Sequence, residues 1–236
     1  MVARTEPLPV QTGRVKHTHR RTLSVVADLR STLHVRLRTS LVQPATAVQL
    51  HDAKVRISWS PDHGPDVDLA VLSELTGFDT ESFLPELSGP IPETLTTTVG
   101  RGEFAVVDLS APRFCEELAD VGPDFGLVGR ALLGENFDQA ELRASFATTH
   151  QRAVIVANME IGHKWRGAAY GLLATELVLG ELGRCADVAA LFPMKPGLED
   201  LAARDASARA LADYWGRIGF AEFNGIMAMQ LPVPAG

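Results

Sequence analysis

An apolar, strand-like run from Ala153 to Met159 passes through Glu160-Ile161-Gly162-His163-Lys164-Trp165-Arg166-Gly167-Ala168-Ala169-Tyr170-Gly171 into an apolar, helix-like run from Leu172 to Leu182. A strand that turns through small residues into a helix limits what this part of the chain can become. It also aims free backbone N–H groups at one point, where the helix dipole favours an anion. The spacing excludes two common phosphate cradles. Neither Gly-x4-Gly-Lys-Ser/Thr nor Gly-x-Gly-x-x-Gly occurs. What remains is Arg-Gly-x-Ala-x-Gly, carried by Arg166, Gly167, Ala169 and Gly171.

The segment resembles the pyrophosphate loop of the GNAT superfamily of N-acetyltransferases, Gln/Arg-x-x-Gly-x-Gly/Ala, with Lys164, Gly167 and Ala169 in the first, fourth and sixth places. A second block agrees in order and separation. Tyr214-Trp215-Gly216-Arg217-Ile218-Gly219-Phe220 is similar to that family's closing Tyr-x-x-x-Gly-Phe signature. The resemblance covers about residues 94–231. It implies an α/β fold: a mixed, mostly antiparallel twisted sheet flanked by helices, here with an extra N-terminal β-rich part and a helical insert before the signature strand.

By that resemblance the pyrophosphate of acetyl-CoA, or another acyl-CoA co-substrate, lies on the backbone of Arg166, Gly167, Ala168, Ala169, Tyr170 and Gly171. The pantetheine arm pairs with the strand around Met159 and Ile161, and Trp215 flanks the donor. The implied reaction is N-acyl transfer to a small-molecule or peptide amine by direct attack in a ternary complex, without a metal. Glu160 is the carboxylate placed to take the amine proton, because simple alternation sets Val156, Asn158 and Glu160 on one strand face and Ile155, Ala157, Met159 and Ile161 on the other. His163 is a second candidate base.

One position departs from the family pattern. The tyrosine that often protonates the leaving thiolate falls at Trp215, whose indole N–H is no useful acid near neutral pH. Its neighbour Tyr214 is then the candidate acid. The departure leaves a second function class open, a non-catalytic CoA-binding or protein/RNA-interaction module on the same fold.

Composition bounds the rest. The 236 residues are 46% hydrophobic, enough for one compact domain with a sizeable core. No run is apolar enough over the ~18–20 residues of a membrane span and no secretory leader is evident, so a cytoplasmic protein with no membrane partner is expected. Residues 1–50 hold eight Lys/Arg against Glu6 and Asp28. Subtracting that +6 from the whole-chain −7 leaves −13 for the remainder. A basic arm on an acidic body is read as a solvated terminus rather than a nucleic-acid ligand, since aromatic residues are not interleaved with the cations. A homodimer is compatible with these features. Cys115 and Cys185 lack Cys-x-x-Cys spacing and are expected as two buried thiols.

Three divisions are expected: a mobile basic arm at 1–21, an N-terminal extension at 22–93, and an acyl-CoA-binding core at 94–231. Alternation predicts strands over 32–42 and 54–59, and Ser60-Pro61-Asp62-His63-Gly64-Pro65 a turn before a short helix at 66–76. Gly100-Arg101-Gly102 between two strand-like runs predicts a hairpin. Helices follow at 112–133, with a break at Gly122-Pro123, and at 138–146. Asp62, His63, Asp66 and Asp68 read as an acidic turn rather than a cation site.

Overall fold

The computed structural model describes residues 18–26, 31–41, 47–59, 95–134, 139–167, 169–194 and 200–231. Residues 1–17 of the expected arm, the turn and helix at 60–76 with the acidic cluster, and Ala168 lie outside them. Strands β1 (Thr18–Val26), β2 (Ser31–Leu41), β3 (Val48–Trp59) and β4 (Leu95–Asp108) are followed by helices α1 (Phe114–Val121), α2 (Pro123–Leu133) and α3 (Ala140–Ser145). Strand β5 (Arg152–Ile161) leads through a 3-10 turn at His163–Trp165 to α4 (Tyr170–Leu182) and β6 (Val188–Leu191). Helix α5 (Leu201–Gly216) and strands β7 (Ala221–Phe223) and β8 (Ile226–Gln230) complete the order.

All eight strands form one sheet in the order β1-β2-β3-β4-β5-β6-β8-β7. Every neighbouring pair is antiparallel except β5 and β6, which α4 joins as a parallel crossover. The fold is therefore mixed α/β with a mostly antiparallel sheet. Among the described residues no helix is long and apolar enough to cross a membrane.

Alternation sorts the two faces. Phe104, Val106, Val154, Val156 and Leu191 join the core under α4, whereas Ala105, Val107, Ala153, Ile155 and Val188 join a second core under α1–α3. Strands β5 and β6 are buried on both faces where they pair. That is why they read as continuous apolar runs rather than as alternation. Helix α4 touches β1 and β2 as well as β5, so the sheet curls around it. This explains an almost wholly apolar helix whose one buried hydroxyl, on Thr175, donates back to the Gly171 carbonyl at 2.8 Å. Each buried leucine there contributes ~1.5–3 kcal/mol.

Four expectations need correction. The hairpin at Gly100-Arg101-Gly102 is one continuous strand, β4. Its glycines serve close approach rather than a turn: a Cβ at Gly100 would lie 2.5 Å from the Glu160 carbonyl oxygen, and one at Gly102 2.7 Å from the Met159 methyl. Thr18 to Arg21, assigned to the mobile arm, are strand β1 and pair with Leu37 to Ser40. Cys185 is exposed and Cys115 only half-buried, so neither thiol is fully enclosed. The strict alternation assumed along β5 also fails. Glu103 faces Asn158 but Phe104 faces Val156, leaving Ala157 as a bulge without a partner. Beyond it, Met159 and Ile161 join Val156 on the α4 face, and Asn158 and Glu160 turn to the α1–α3 face.

Candidate functional site

The site begins where two strands part. Parallel pairing of β5 with β6 covers only Ala153–Val156 against Val188–Leu191. From Ala157 to Ile161 strand β5 continues against β4, but its other edge meets no strand among the described residues. An unpaired inner strand edge leaves backbone N–H and C=O groups to a ligand or to water.

Two cavities open on this gap, one on each face of the sheet. The first, about 200 Å3, lies on the α5 side between Met159, Leu191, Ser207, Leu211 and Trp215. The second, about 280 Å3, lies on the insert side between Glu103, Val121, Asp124, Phe125 and Val128. Both are walled by Val156, Ala157, Asn158, Phe192 and Met194. The bulge at Ala157 therefore sits on the line where they meet.

The loop after β5 is pinned at two points. Trp165 is buried beneath α4 with its ring 6.4 Å from that of Tyr170. Arg166 turns back so that its Nε donates to the Ile161 carbonyl at 3.0 Å. Between these anchors and the helix, Gly167 is exposed at φ +95°, and nothing lies within 4 Å of where its Cβ would be. Ala169, the residue before α4, adopts a left-handed φ of 57°, and no side chain caps the helix. A non-glycine residue held there costs about 1 kcal/mol, so the surrounding chain fixes this turn.

Gly171 packs against the strand. A Cβ at this position would meet the Tyr214 hydroxyl at 2.6 Å, with Ile161 and Met159 behind it. The Tyr214 phenol thus reaches the first turn of α4 and hydrogen-bonds with the Leu172 backbone. Burial raises its pKa above the ordinary value, the bond to Leu172 acting in the opposite sense. Trp215, buried and 5.1 Å from the Tyr214 ring, is the member of the pair that lines the α5-side cavity. Of the residues expected at the site, Met159, Ile161, Gly171, Tyr214 and Trp215 converge on this region, and Arg166, Gly167, Ala169 and Tyr170 frame its loop.

Glu160 stands apart from the α5-side cavity. Its carboxylate projects from the opposite face and pairs with Arg101 directly across the ladder, 2.9 Å from Nη2 and 3.0 Å from Nε. Both side chains are largely exposed, so the pair adds little stability. It does occupy the carboxylate. His163 is exposed on the 3-10 turn. Glu103, Asp124 and Asn158 carry the polar lining of the insert-side cavity, and sequence reasoning missed all three in that role.

A more voluminous groove lies elsewhere. About 940 Å3 of open space runs over α1–α3 past Arg113, Cys115, Arg130 and Arg143. Burial pushes the Cys115 thiol up to about 11, so it is not a thiolate at neutral pH, and Arg113 is engaged by Glu116 at 2.6 Å. The groove lacks the free strand edge and the helix start that meet at the β5–β6 gap. No group of three or more His, Cys, Asp or Glu side chains among the described residues is arranged to hold a metal ion. No family model, no curated protein and no solved structure matches this chain.

Proposed function

We propose that the chain is an acyl-CoA-dependent N-acyltransferase, in its simplest form moving an acetyl group from acetyl-CoA to an amine within a ternary complex. The observation that carries this reading is the free edge of β5 from Ala157 to Ile161, lying beside an uncapped helix start and between two cavities. A donor and an acceptor entering from opposite faces would meet at the gap. Holding two reactants in one geometry is what such a transfer chiefly needs.

In this reading the pyrophosphate rests on the loop from Arg166 to Gly171, where the backbone turns and the helix dipole is positive. The pantetheine amides take the unpaired edge of β5, as an added strand would. N–H groups of the same edge polarise the thioester carbonyl. Leu191, Leu211 and Trp215 give the acyl group an apolar wall. The leaving thiolate takes its proton from water, because the indole of Trp215 is no acid and Tyr214, unlike Trp215, does not line the α5-side cavity.

Calorimetry with acetyl-CoA and with CoA tests the proposal, and absence of binding at millimolar ligand would sink it. Gly167→Glu gives a sharper form. The new side chain has open space, so the fold survives apart from ~1 kcal/mol of strain at positive φ. A carboxylate set among phosphates should weaken CoA affinity about 100-fold. Unchanged affinity would contradict the loop assignment.

Trp215 favours a second reading, a non-catalytic module that binds CoA without transferring from it. Thiol release across a panel of amines separates the two.

A further inference from the structure

The insert-side cavity reads its occupant by charge and size, and this reading rests on the donor assignment above. We infer that the acceptor is a small cationic primary amine with an apolar or aromatic body, and that Glu103, rather than Glu160, takes its proton. The cavity holds about 280 Å3, at the lower limit of the roughly 300–1,000 Å3 of drug-sized sites, so it suits a small molecule or a single residue. Its walls are Phe125, Val128 and Phe192, and its charged groups are the carboxylates of Glu103 and Asp124. Neither carboxylate has a hydrogen-bond or ion-pair partner among the described residues, whereas Glu160 is held by Arg101.

Register selects between the acids. Glu103 lies opposite Asn158, the residue next to the Ala157 bulge that lines both cavities, and its own side chain lines the insert-side one. Glu160 lies two residues further along, opposite Arg101, and lines neither cavity. Asp124, in the first turn of α2, approaches from the facing helix. Two negative charges in one small cavity attract an ammonium group and repel a carboxylate on the same molecule.

The chemistry balances without another reactant. Glu103 accepts one proton from the ammonium, freeing the nitrogen lone pair to attack the thioester carbonyl carbon. The C–N bond forms, the C–S bond breaks and CoA leaves as thiolate. The second proton lost by nitrogen neutralises that thiolate through water, and the first passes from Glu103 to solvent. The products are the neutral amide, CoA and one released proton.

The test compares phenethylamine with phenylalanine, which share the aromatic body and differ by a carboxylate, at saturating acetyl-CoA. Phenethylamine should exceed phenylalanine in kcat/KM by at least about ten-fold. Asp124→Asn should raise the KM for phenethylamine with kcat nearly kept. Glu103→Gln should lower kcat, and Glu103→Asp should restore part of it. An unchanged Kd for acetyl-CoA in each variant shows that it folds. Failure of the wild-type chain to bind acetyl-CoA overturns the donor reading and this assignment with it. Binding of acetyl-CoA together with equal kcat/KM for the two amines, turnover of neither, or full activity in Glu103→Gln overturns the acceptor assignment alone.

Discussion

His51 allows a quantitative test of the packing beneath the site. It lies on β3, on the strand face that carries Ala53, Val55 and Ile57 into the core under α4, and only 5% of it is exposed. Its Nδ1 is 3.1 Å from the Thr39 hydroxyl, while Nε2 is buried with no hydrogen-bond partner among the described residues. The protonated ring carries an N–H on both nitrogens, and the one on Nε2 is buried without an acceptor. Desolvation accordingly lowers the pKa from 6.5 to about 4. The folded state therefore refuses a proton that the unfolded chain accepts between these values. The stability contribution is complete above pH 6.5, falls as pH drops, and is lost below pH 4. The full loss is about 3 kcal/mol, of which about 2 kcal/mol falls between pH 7 and pH 5. Urea unfolding followed by tryptophan fluorescence at pH 7, 6 and 5 measures it. His51→Asn keeps a partner for Thr39 but cannot titrate, so the gap between wild type and variant should shift by about 2 kcal/mol in favour of the variant on acidification. Parallel curves for the two proteins would refute the argument, because other titrating groups are common to both.

Substitutions at three further positions probe the frame that holds the gap open. Gly100→Ala drives a methyl into the backbone oxygen of Glu160 and the Cδ1 of Ile161, both at 2.5 Å, and should cost ~1–3 kcal/mol in chemical unfolding. Gly102→Ala meets the flexible Met159 terminus at 2.7 Å and the edge of the Phe104 ring at 2.9 Å but no backbone atom closer than 3.2 Å, and should cost less, so the reverse ranking would contradict the reading of β4 as one strand. Asp187 is buried and accepts from the Thr149 and His150 backbone N–H groups at 2.8–2.9 Å, tying the chain before β5 to the start of β6. Asp187→Ala leaves those donors orphaned and should lose ~3 kcal/mol, or about 6–12 °C in Tm, with Asp187→Asn recovering part of it.

Local chemistry made much of the fold legible. The break at Gly122-Pro123 falls between α1 and α2, and the Asn224-Gly225 turn joins β7 to β8 at φ 48° and 76°. These signals are carried within a few residues of where they act. Gly100 and Gly102 look like turn glycines by the same local rule. Their real constraint comes from β5, about 60 positions later in the chain, and no short window contains it.

The site was legible in the same uneven way. The strand, the loop and the helix start could be placed because periodicity and small residues mark them. The face on which each side chain falls could not, because it depends on one unpaired residue in a ladder. Ala157 bulges against β4, and each β5 side chain after it changes sides relative to strict alternation. The carboxylate that alternation set beside Val156 is therefore carried to the far face and into the arms of Arg101. The same bulge puts Asn158 opposite Glu103 at the head of the gap. Had β5 been regular, Glu160 would share the α4 face with Val156 and the insert-side cavity would lose the register that presents Glu103. The acid of the insert-side cavity thus belongs to β4, the neighbouring strand, and follows from pairing rather than from the motif itself.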